Sequence, residues 1–166
     1  MTNSPISELD WIAGNTIIQF TYTDPALLPV DAVVEEQDTN LVLGKSPVVM
    51  NTIESFPALV KRMEQQTMQI PGNLIVKASG KPKRFVAIVY DIDHSPICEM
   101  EWIEEVFCDI LLQCEKFRIK TLAMPLLGTS YGKLDGTKIM TLLQNLLISN
   151  RHQYLKKILI YKAPDN

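Results

Sequence analysis

Apolar residues recur along the chain at two spacings, one typical of strands and the other of helices. Runs rich in β-branched and aromatic residues predict strands at 16–22, 30–34, 73–78, 84–90, 121–127 and 155–161. Spacings of three and four predict helices over 53–68, 100–114 and 136–149. Residues 1–14 are polar with a few apolar positions, which is typical of a short edge element or a peripheral extension.

The order of these elements predicts a fold class. Strands alternate with helical runs, and one turn at 79–82 joins two strands directly as a hairpin. This pattern predicts a single α/β domain over 1–166, a three-layer α/β/α sandwich with a mixed central sheet that is parallel where helices intervene. Ligands of such sheets bind at the carboxyl ends of the strands, so the loops after Val34 and Leu127 are the candidate ligand-binding loops.

The composition of the chain argues against two classes of binding partner, duplex nucleic acid and membranes. The net charge of −3 and the pI near 5.4 argue against a module that binds duplex nucleic acid. A local basic patch at Lys77, Lys81, Lys83 and Arg84 is interpreted as a solvated hairpin turn. No apolar run approaches the roughly 18 residues of a membrane span, and residues 1–10 lack the features of a signal peptide. We therefore expect a cytoplasmic protein without a membrane partner.

The cysteines and the acidic loop at 91–96 bear on metal binding. Cys98, Cys108 and Cys114 have no paired spacing, and their odd number fits a reducing compartment. Cys108 falls within a helical pattern and is predicted to be a small core residue. Asp91, Asp93 and His94 would suit a cation, but three polar residues in one loop are more often simply solvated. We predict neither a metal nor a cofactor.

The loop after the strand at 121–127 carries the strongest candidate chemistry. It contains two glycines and two hydroxyl residues, and an amphipathic run follows it. Glycines let the backbone approach a ligand closely, and free amides before a helix point toward negative charge. The loop is therefore either an anion cradle or an ordinary strand-to-helix turn.

The order of these elements and their amino-acid sequences resemble the macro domain, the module that binds ADP-ribose. The resemblance covers about residues 17–161, and its most specific segment is 123–132. It implies ADP-ribose or a related nucleotide as ligand, with Asp24 contacting adenine and Tyr161 packing on it. It further implies a phosphate loop formed by Leu127, Gly128, Thr129, Ser130, Tyr131 and Gly132.

The chain departs from the family pattern after Val34. Where the family has an Asn-Ala-Ala-Asn segment, this sequence has the acidic residues 35–38, and the following glycine-rich run retains one glycine, Gly44. Carboxylates close to a pyrophosphate repel it by roughly 1 kcal/mol at 4 Å in water. Glu35 and Glu36 must therefore point away from the ligand, or the pose of the ligand must differ from that of the family.

Three functions fit these residues. The first is a binding module for an ADP-ribose-like ligand without catalysis, which the phosphate loop at 127–132 favours. The second is a degenerate macro fold that serves as a protein interaction domain, which the missing glycines favour. The third is an ADP-ribosyl hydrolase in which Asp38 or Glu35 acts as general base on a water at the ribose.

Overall fold

The computed structural model describes residues 10–43, 68–150 and 152–161. In these segments the chain forms seven strands: β1 (Trp11–Ala13), β2 (Thr16–Thr21), β3 (Ala32–Asp38), β4 (Leu74–Lys77), β5 (Lys83–Tyr90), β6 (Thr121–Pro125) and β7 (Lys157–Tyr161). Two α-helices accompany them in the same segments, α1 (Met100–Lys116) and α2 (Gly136–Ser149). A short 3-10 helix, Pro25–Leu27, follows β2. The predicted helix at 53–68 lies outside the described residues.

The strands of the described segments form one mixed sheet in the order β1-β2-β7-β6-β3-β5-β4. The five central strands are parallel, and the outer strands β1 and β4 run antiparallel to their neighbours. The predicted hairpin is therefore confirmed as the pair β4–β5. The mixed sheet and its helices confirm the predicted α/β fold class.

Helix α1 forms because its apolar residues recur on one face. Six of them are buried: Ile103, Val106, Phe107, Ile110, Leu111 and Cys114. The prediction for Cys108 was wrong, because its thiol is exposed. Cys108 lies between the stripe residues Phe107 and Ile110, and its side chain leaves the helix on the solvent side. None of the helices among the described residues is long and apolar enough to cross a membrane.

Helix α2 begins at the predicted residue because Asp135 caps it. The Asp135 carboxylate accepts a hydrogen bond from the Thr137 amide at 2.9 Å. This bond satisfies one of the amides that have no partner within the first turn. Four apolar side chains then pack into the same core as α1: Ile139, Met140, Leu143 and Leu147.

Strand β3 differs from its prediction at both ends. It begins at Ala32 and continues through the acidic residues to Asp38, whereas the sequence indicated a strand ending at Val34. The reason is the pairing with β5, which runs along the whole length of β3, whereas β6 pairs only with its first two residues. Strand β5 satisfies the backbone groups on its side of the acidic residues, so their polar side chains do not end the strand. The acidic residues therefore belong to a strand and not to a loop.

Candidate functional site

The carboxyl edge of the sheet divides between β3 and β6, and we call this place the crevice. The two strands pair only at Ala32–Leu122 and Val33–Ala123, although β3 continues for five more residues. In chain order β3 is followed by β4, which lies on the β5 side, and β6 is followed by β7, which lies on the other side, so the strand order reverses at this point. Such a switch point is where open α/β sheets bind their ligands.

Glu36 projects into this crevice from β3. Its carboxylate accepts a short hydrogen bond from the Tyr90 hydroxyl of β5. The backbone amide of Gly128 faces the same carboxylate. The second oxygen, Oε1, is buried and has no hydrogen bond of good geometry within the described residues. The loop that was predicted to cradle an anion thus faces a carboxyl group of the protein itself.

Burial changes the protonation of this cluster. It raises the pKa of Glu36 to about 7, although the Tyr90 hydroxyl and the Gly128 amide act in the opposite direction. Burial and the neighbouring Glu36 carboxylate also raise the pKa of Tyr90, so its phenol stays protonated and donates. Near neutral pH the Glu36 carboxyl is therefore divided between its neutral and charged forms.

The conformation of the loop requires glycine at Gly128. Its φ is +79°, and a Cβ there would lie 2.7 Å from Leu134 Cδ1 and 3.1 Å from both Cys98 Sγ and Ile103 Cδ1. Side chains rarely adopt such a φ, so an alanine at this position would be strained and would clash with its neighbours. Gly128 is thus fixed against the core, with its amide directed at Glu36.

Gly132 closes the loop for a related reason. A Cβ at this position would lie 2.5 Å from Cys98 Cβ and 2.7 Å from the carbonyl oxygen of Gly128. Burial raises the pKa of the Cys98 thiol to about 12, so the group remains a neutral packing partner. The Gly128 carbonyl accepts a hydrogen bond from the Leu134 amide at 3.1 Å, which fixes the exit of the loop.

The middle of the loop is open to solvent. Thr129 turns back to donate its hydroxyl to the Leu126 carbonyl at 2.7 Å. Ser130 and Tyr131 are exposed, and the Tyr131 ring meets the Tyr90 ring edge to face at 5.7 Å. Among the described residues, no hydrogen bond from the Ser130 or Gly132 amide is found. Ser130 is thus the most open residue of the loop together with Tyr131, whereas Gly132 is half-buried.

The other predicted ligand-binding residues lie on the same edge. Leu127 is fully buried in the core, so it presents no exposed group to a ligand. Tyr161 ends β7, and its hydroxyl donates to the Val34 carbonyl at 2.7 Å. Its ring thus spans from β7 past β6 to β3. Burial and the charges of Glu36 and Glu35 raise its pKa.

Asp24 lies beyond the end of β2, the strand next to β7. It is exposed, and its Oδ1 accepts a hydrogen bond from the Ala26 amide at 2.9 Å, which caps the 3-10 helix. The cap holds the side chain at the β2 end of the carboxyl edge. The structure therefore places Asp24, Tyr161, the loop after β6 and the end of β3 along one edge of the sheet.

Asp38, the predicted general base, is fully buried at the end of β3. Its Oδ1 accepts hydrogen bonds from the amides of Asn40 and Val42, at 2.7 and 3.4 Å. Its Oδ2 is buried without a hydrogen-bond partner in the described segments. In this conformation Asp38 organises the turn at 39–43 from within.

Glu35, the alternative base, points to the opposite face of the sheet from Glu36, because side chains alternate along a strand. It forms an ion pair with Arg84, with a shortest distance of 2.7 Å, and both side chains are exposed. The sequence left open which acidic residues face the crevice, and the structure shows that Glu36 does so and Glu35 does not.

The acidic loop at 91–96 is held by its own hydrogen bonds. Asp91 Oδ1 accepts from the Asp93 amide at 3.1 Å, and His94 Nδ1 lies 2.7 Å from the Pro96 carbonyl oxygen. Among the described residues, no three acidic, histidine or cysteine side chains form a group suited to a metal.

Two members of the site were missed by sequence reasoning. Tyr90 and Cys98 lie 54 and 62 positions after Glu36, so no local motif connects them. The signal that was present is a polar residue, Tyr90, at the carboxyl end of a buried strand, where ligand-binding residues of parallel sheets are found.

Comparison with known proteins gives the following findings. No protein-family model matches the sequence. A DNA ADP-ribosyl glycohydrolase of Thermus aquaticus is 28% identical over 126 residues, which are 72% of this chain. The match covers 34% of that protein, so this chain spans about a third of the length of its relative.

Solved structures show the same fold. The macrodomain of Thermus aquaticus DarG matches with a TM-score of 0.59 and 24% identity, over 88% of this chain and 98% of that one. An Oceanobacillus iheyensis macrodomain solved with ADP matches with a TM-score of 0.65 and 12% identity, over 92% and 87% of the two chains. The chain therefore has the macrodomain fold, and the resemblance seen in the sequence is confirmed.

Proposed function

We propose that this chain, which has the macrodomain fold, binds a nucleotide of the ADP-ribose type in the crevice between β3 and β6. The observation that carries the proposal is the loop at 127–132, whose Gly128 amide already faces a carboxylate and whose Ser130 and Gly132 amides have no partner among the described residues. Backbone amides in such a loop suit the oxygens of a diphosphate.

The adenosine end of the ligand extends from this loop toward β2. Asp24 supplies a carboxylate oxygen at that end of the edge, in position to accept from the adenine amino group. Tyr161 lies between Asp24 and the loop in the order of the strands, and its ring supplies an aromatic surface. The solved macrodomain with ADP supports a ligand of this class.

The protonation state of the Glu36 carboxyl determines how favourably a diphosphate binds. A charged carboxylate about 4 Å from a phosphate costs roughly 4 kcal/mol at an effective dielectric constant of 20. The neutral form removes this repulsion, and the raised pKa makes the neutral form accessible near pH 7. The site therefore binds its ligand together with a proton.

Isothermal titration with ADP-ribose and with ADP tests the proposal. Asp24→Ala removes the adenine contact together with the cap of the 3-10 helix, whereas Asp24→Asn retains an oxygen for the cap. The matched control is Glu104→Ala, which removes an exposed carboxylate from α1. Weaker binding by Asp24→Ala than by Glu104→Ala supports the assignment. A protein that takes up neither ligand at millimolar concentration overturns it.

Hydrolysis of ADP-ribose from a nucleic acid is a second candidate, favoured by the similarity to the Thermus aquaticus glycohydrolase. Asp38 is its proposed base, with the unpaired Oδ2 as the atom that takes the proton. Because Asp38 is fully buried, this role requires the turn at 39–43 to open. Release of ADP-ribose from a modified oligonucleotide, abolished by Asp38→Asn in a folded protein, would support it.

We propose the cytoplasm as the location, since the sequence shows no paired spacing of cysteines and all three thiols are free.

A further inference from the structure

Basic residues gather at the amino edge of the sheet, opposite to the crevice. They come from the start of β5, the end of α1 and the residues before β6. We call this set the basic edge: Lys81, Lys83, Lys116, Arg118 and Lys120. Strand β5 runs from one edge to the other, so the two sites are about 23 Å apart at 3.3 Å per residue. The basic edge is therefore separate from the nucleotide crevice.

A cavity of about 340 Å³ lies at this edge. Of its nine lining residues, four are basic and one, Asp31, is acidic. The Asp31 carboxylate accepts hydrogen bonds from the amides of Lys120 and Thr121, at 2.9 and 3.2 Å. Its charge is thus used within the protein to anchor β6. The cations around the cavity outnumber their one carboxylate, which leaves a positive concave surface.

Two of the cations lie over the same aromatic ring, that of Phe117. Lys83 Nζ donates to the Ala78 carbonyl at 3.0 Å and lies 5.1 Å from the centre of the Phe117 ring. Lys116 Nζ lies 5.4 Å from the same ring centre. A cation fixed over an aromatic face loses less conformational entropy when it meets an anion than a free lysine does.

The remaining cations reach solvent on either side of the cavity. Arg118 lies 5.7 Å from the centre of the Tyr154 ring and remains exposed. Lys81 and Lys120 are exposed and belong to different elements. Gly80 lines the cavity between them, and a Cβ at Gly80 would meet nothing within 4 Å. A ligand can therefore approach the backbone here without a steric barrier.

We propose that the basic edge binds the phosphodiester backbone of a single-stranded nucleic acid. Sites of this class follow the backbone with a positive groove, and the four cations that line the cavity supply one. A duplex is recognised by an element that enters its groove, whereas this surface is concave. The cations stand around a concavity and not on a flat face, which also fits a single chain better than a membrane surface.

Fluorescence anisotropy with a labelled oligodeoxythymidine of about 15 nucleotides tests the proposal, because single-strand sites span up to roughly that length. Each phosphate contact contributes about −0.7 to the slope of log K against log salt concentration, so three to five contacts give about −2 to −3.5. The double variant Lys81→Ala/Lys120→Ala is expected to bind about tenfold more weakly, with a slope shallower by about 1.4. Lys138→Ala is the matched control, an exposed lysine on α2.

Three outcomes would overturn the proposal. The first is no binding of the oligonucleotide at about 50 mM salt, where electrostatic affinity is high. The second is equal affinity of the double variant and Lys138→Ala. The third is binding to phosphatidylserine vesicles, sensitive to Lys81 and Lys120, without binding to the oligonucleotide, which would make the edge a membrane surface. The experiment does not depend on the nucleotide crevice, since the double variant leaves all the residues proposed to bind ADP-ribose intact.

Discussion

The Tyr90 hydroxyl donates a hydrogen bond to the Glu36 carboxylate, and this contact joins β5 to β3 at the mouth of the crevice. It places a partly protonated carboxyl beside the Gly128 amide, where a ligand phosphate would be held. The stability of the fold and the affinity of the site are therefore both expected to depend on the protonation of Glu36.

The pH dependence of stability is the first consequence. The pKa of Glu36 is about 7 in the folded protein and 4.5 as the reference value, so the folded state binds the proton more tightly. Its contribution to the free energy of unfolding is fully present below pH 4.5 and is lost as pH rises through 7. The loss amounts to about 3 kcal/mol as an upper value.

Urea unfolding between pH 4.5 and 8.5 measures this loss. Glu36→Gln is expected to flatten the profile, because glutamine does not titrate. Glu35→Gln, which alters the exposed partner of Arg84, is expected to keep the wild-type slope. A profile for Glu36→Gln that is as steep as the wild type would show that other groups cause the dependence.

Glycine replacement in the phosphate loop is the second prediction. Gly128 and Gly80 both have positive φ, +79° and +97°, but only Gly128 is packed against core atoms. Gly128→Ala combines backbone strain with overpacking and is expected to cost about 2–4 kcal/mol, whereas Gly80→Ala carries only the strain, about 1 kcal/mol. Chemical denaturation measures both. Equal costs would contradict the packing assigned to Cys98 and Leu134.

The third prediction concerns Tyr161. Tyr161→Phe removes the hydroxyl that donates to the Val34 carbonyl and leaves the ring in place. The expected loss of stability is about 1 kcal/mol, the usual contribution of such a bond. ADP-ribose affinity should change little, because the aromatic surface is retained, whereas Tyr161→Ala should weaken it. A Phe variant as weak as the Ala variant would assign the contact to the hydroxyl and not to the ring.

The parts of the fold that the sequence predicts correctly are those with a regular spacing of apolar residues. Helix α2 runs over the predicted residues because a cap at Asp135 and the spacing of Ile139, Leu143 and Leu147 agree. The prediction ended β3 too early because the residues that extend it to Asp38 are polar. Only the pairing with β5 keeps these residues extended. The sequence carries local preferences, whereas this strand is determined by its neighbours.

The sequence predicts that the candidate site lies at the carboxyl edge of the sheet, but it does not predict which side chains contact each other there. The family resemblance implies Asp24, Tyr161 and the loop at 127–132 as ligand-binding residues, and they follow or end the adjacent strands β2, β7 and β6. Whether the Glu36 side chain faces the crevice depends on which face of the sheet the even-numbered residues of β3 occupy. The sequence of β3 alone does not determine that face. The contact with Tyr90 joins positions 54 residues apart, and only the register of β3 with β5 determines it.

Proton-linked binding is the fourth prediction and the central claim. Titration of ADP-ribose into the wild-type protein and Glu36→Gln at pH 6 and pH 8 tests it most directly. With a pKa of about 7 for Glu36, the neutral fraction falls about tenfold across this range, and we expect wild-type affinity to fall with it. Glu36→Gln should bind at both pH values about as tightly as the wild type does at pH 6. Wild-type affinity that is equal at the two pH values, or binding abolished in folded Glu36→Gln, would contradict the account.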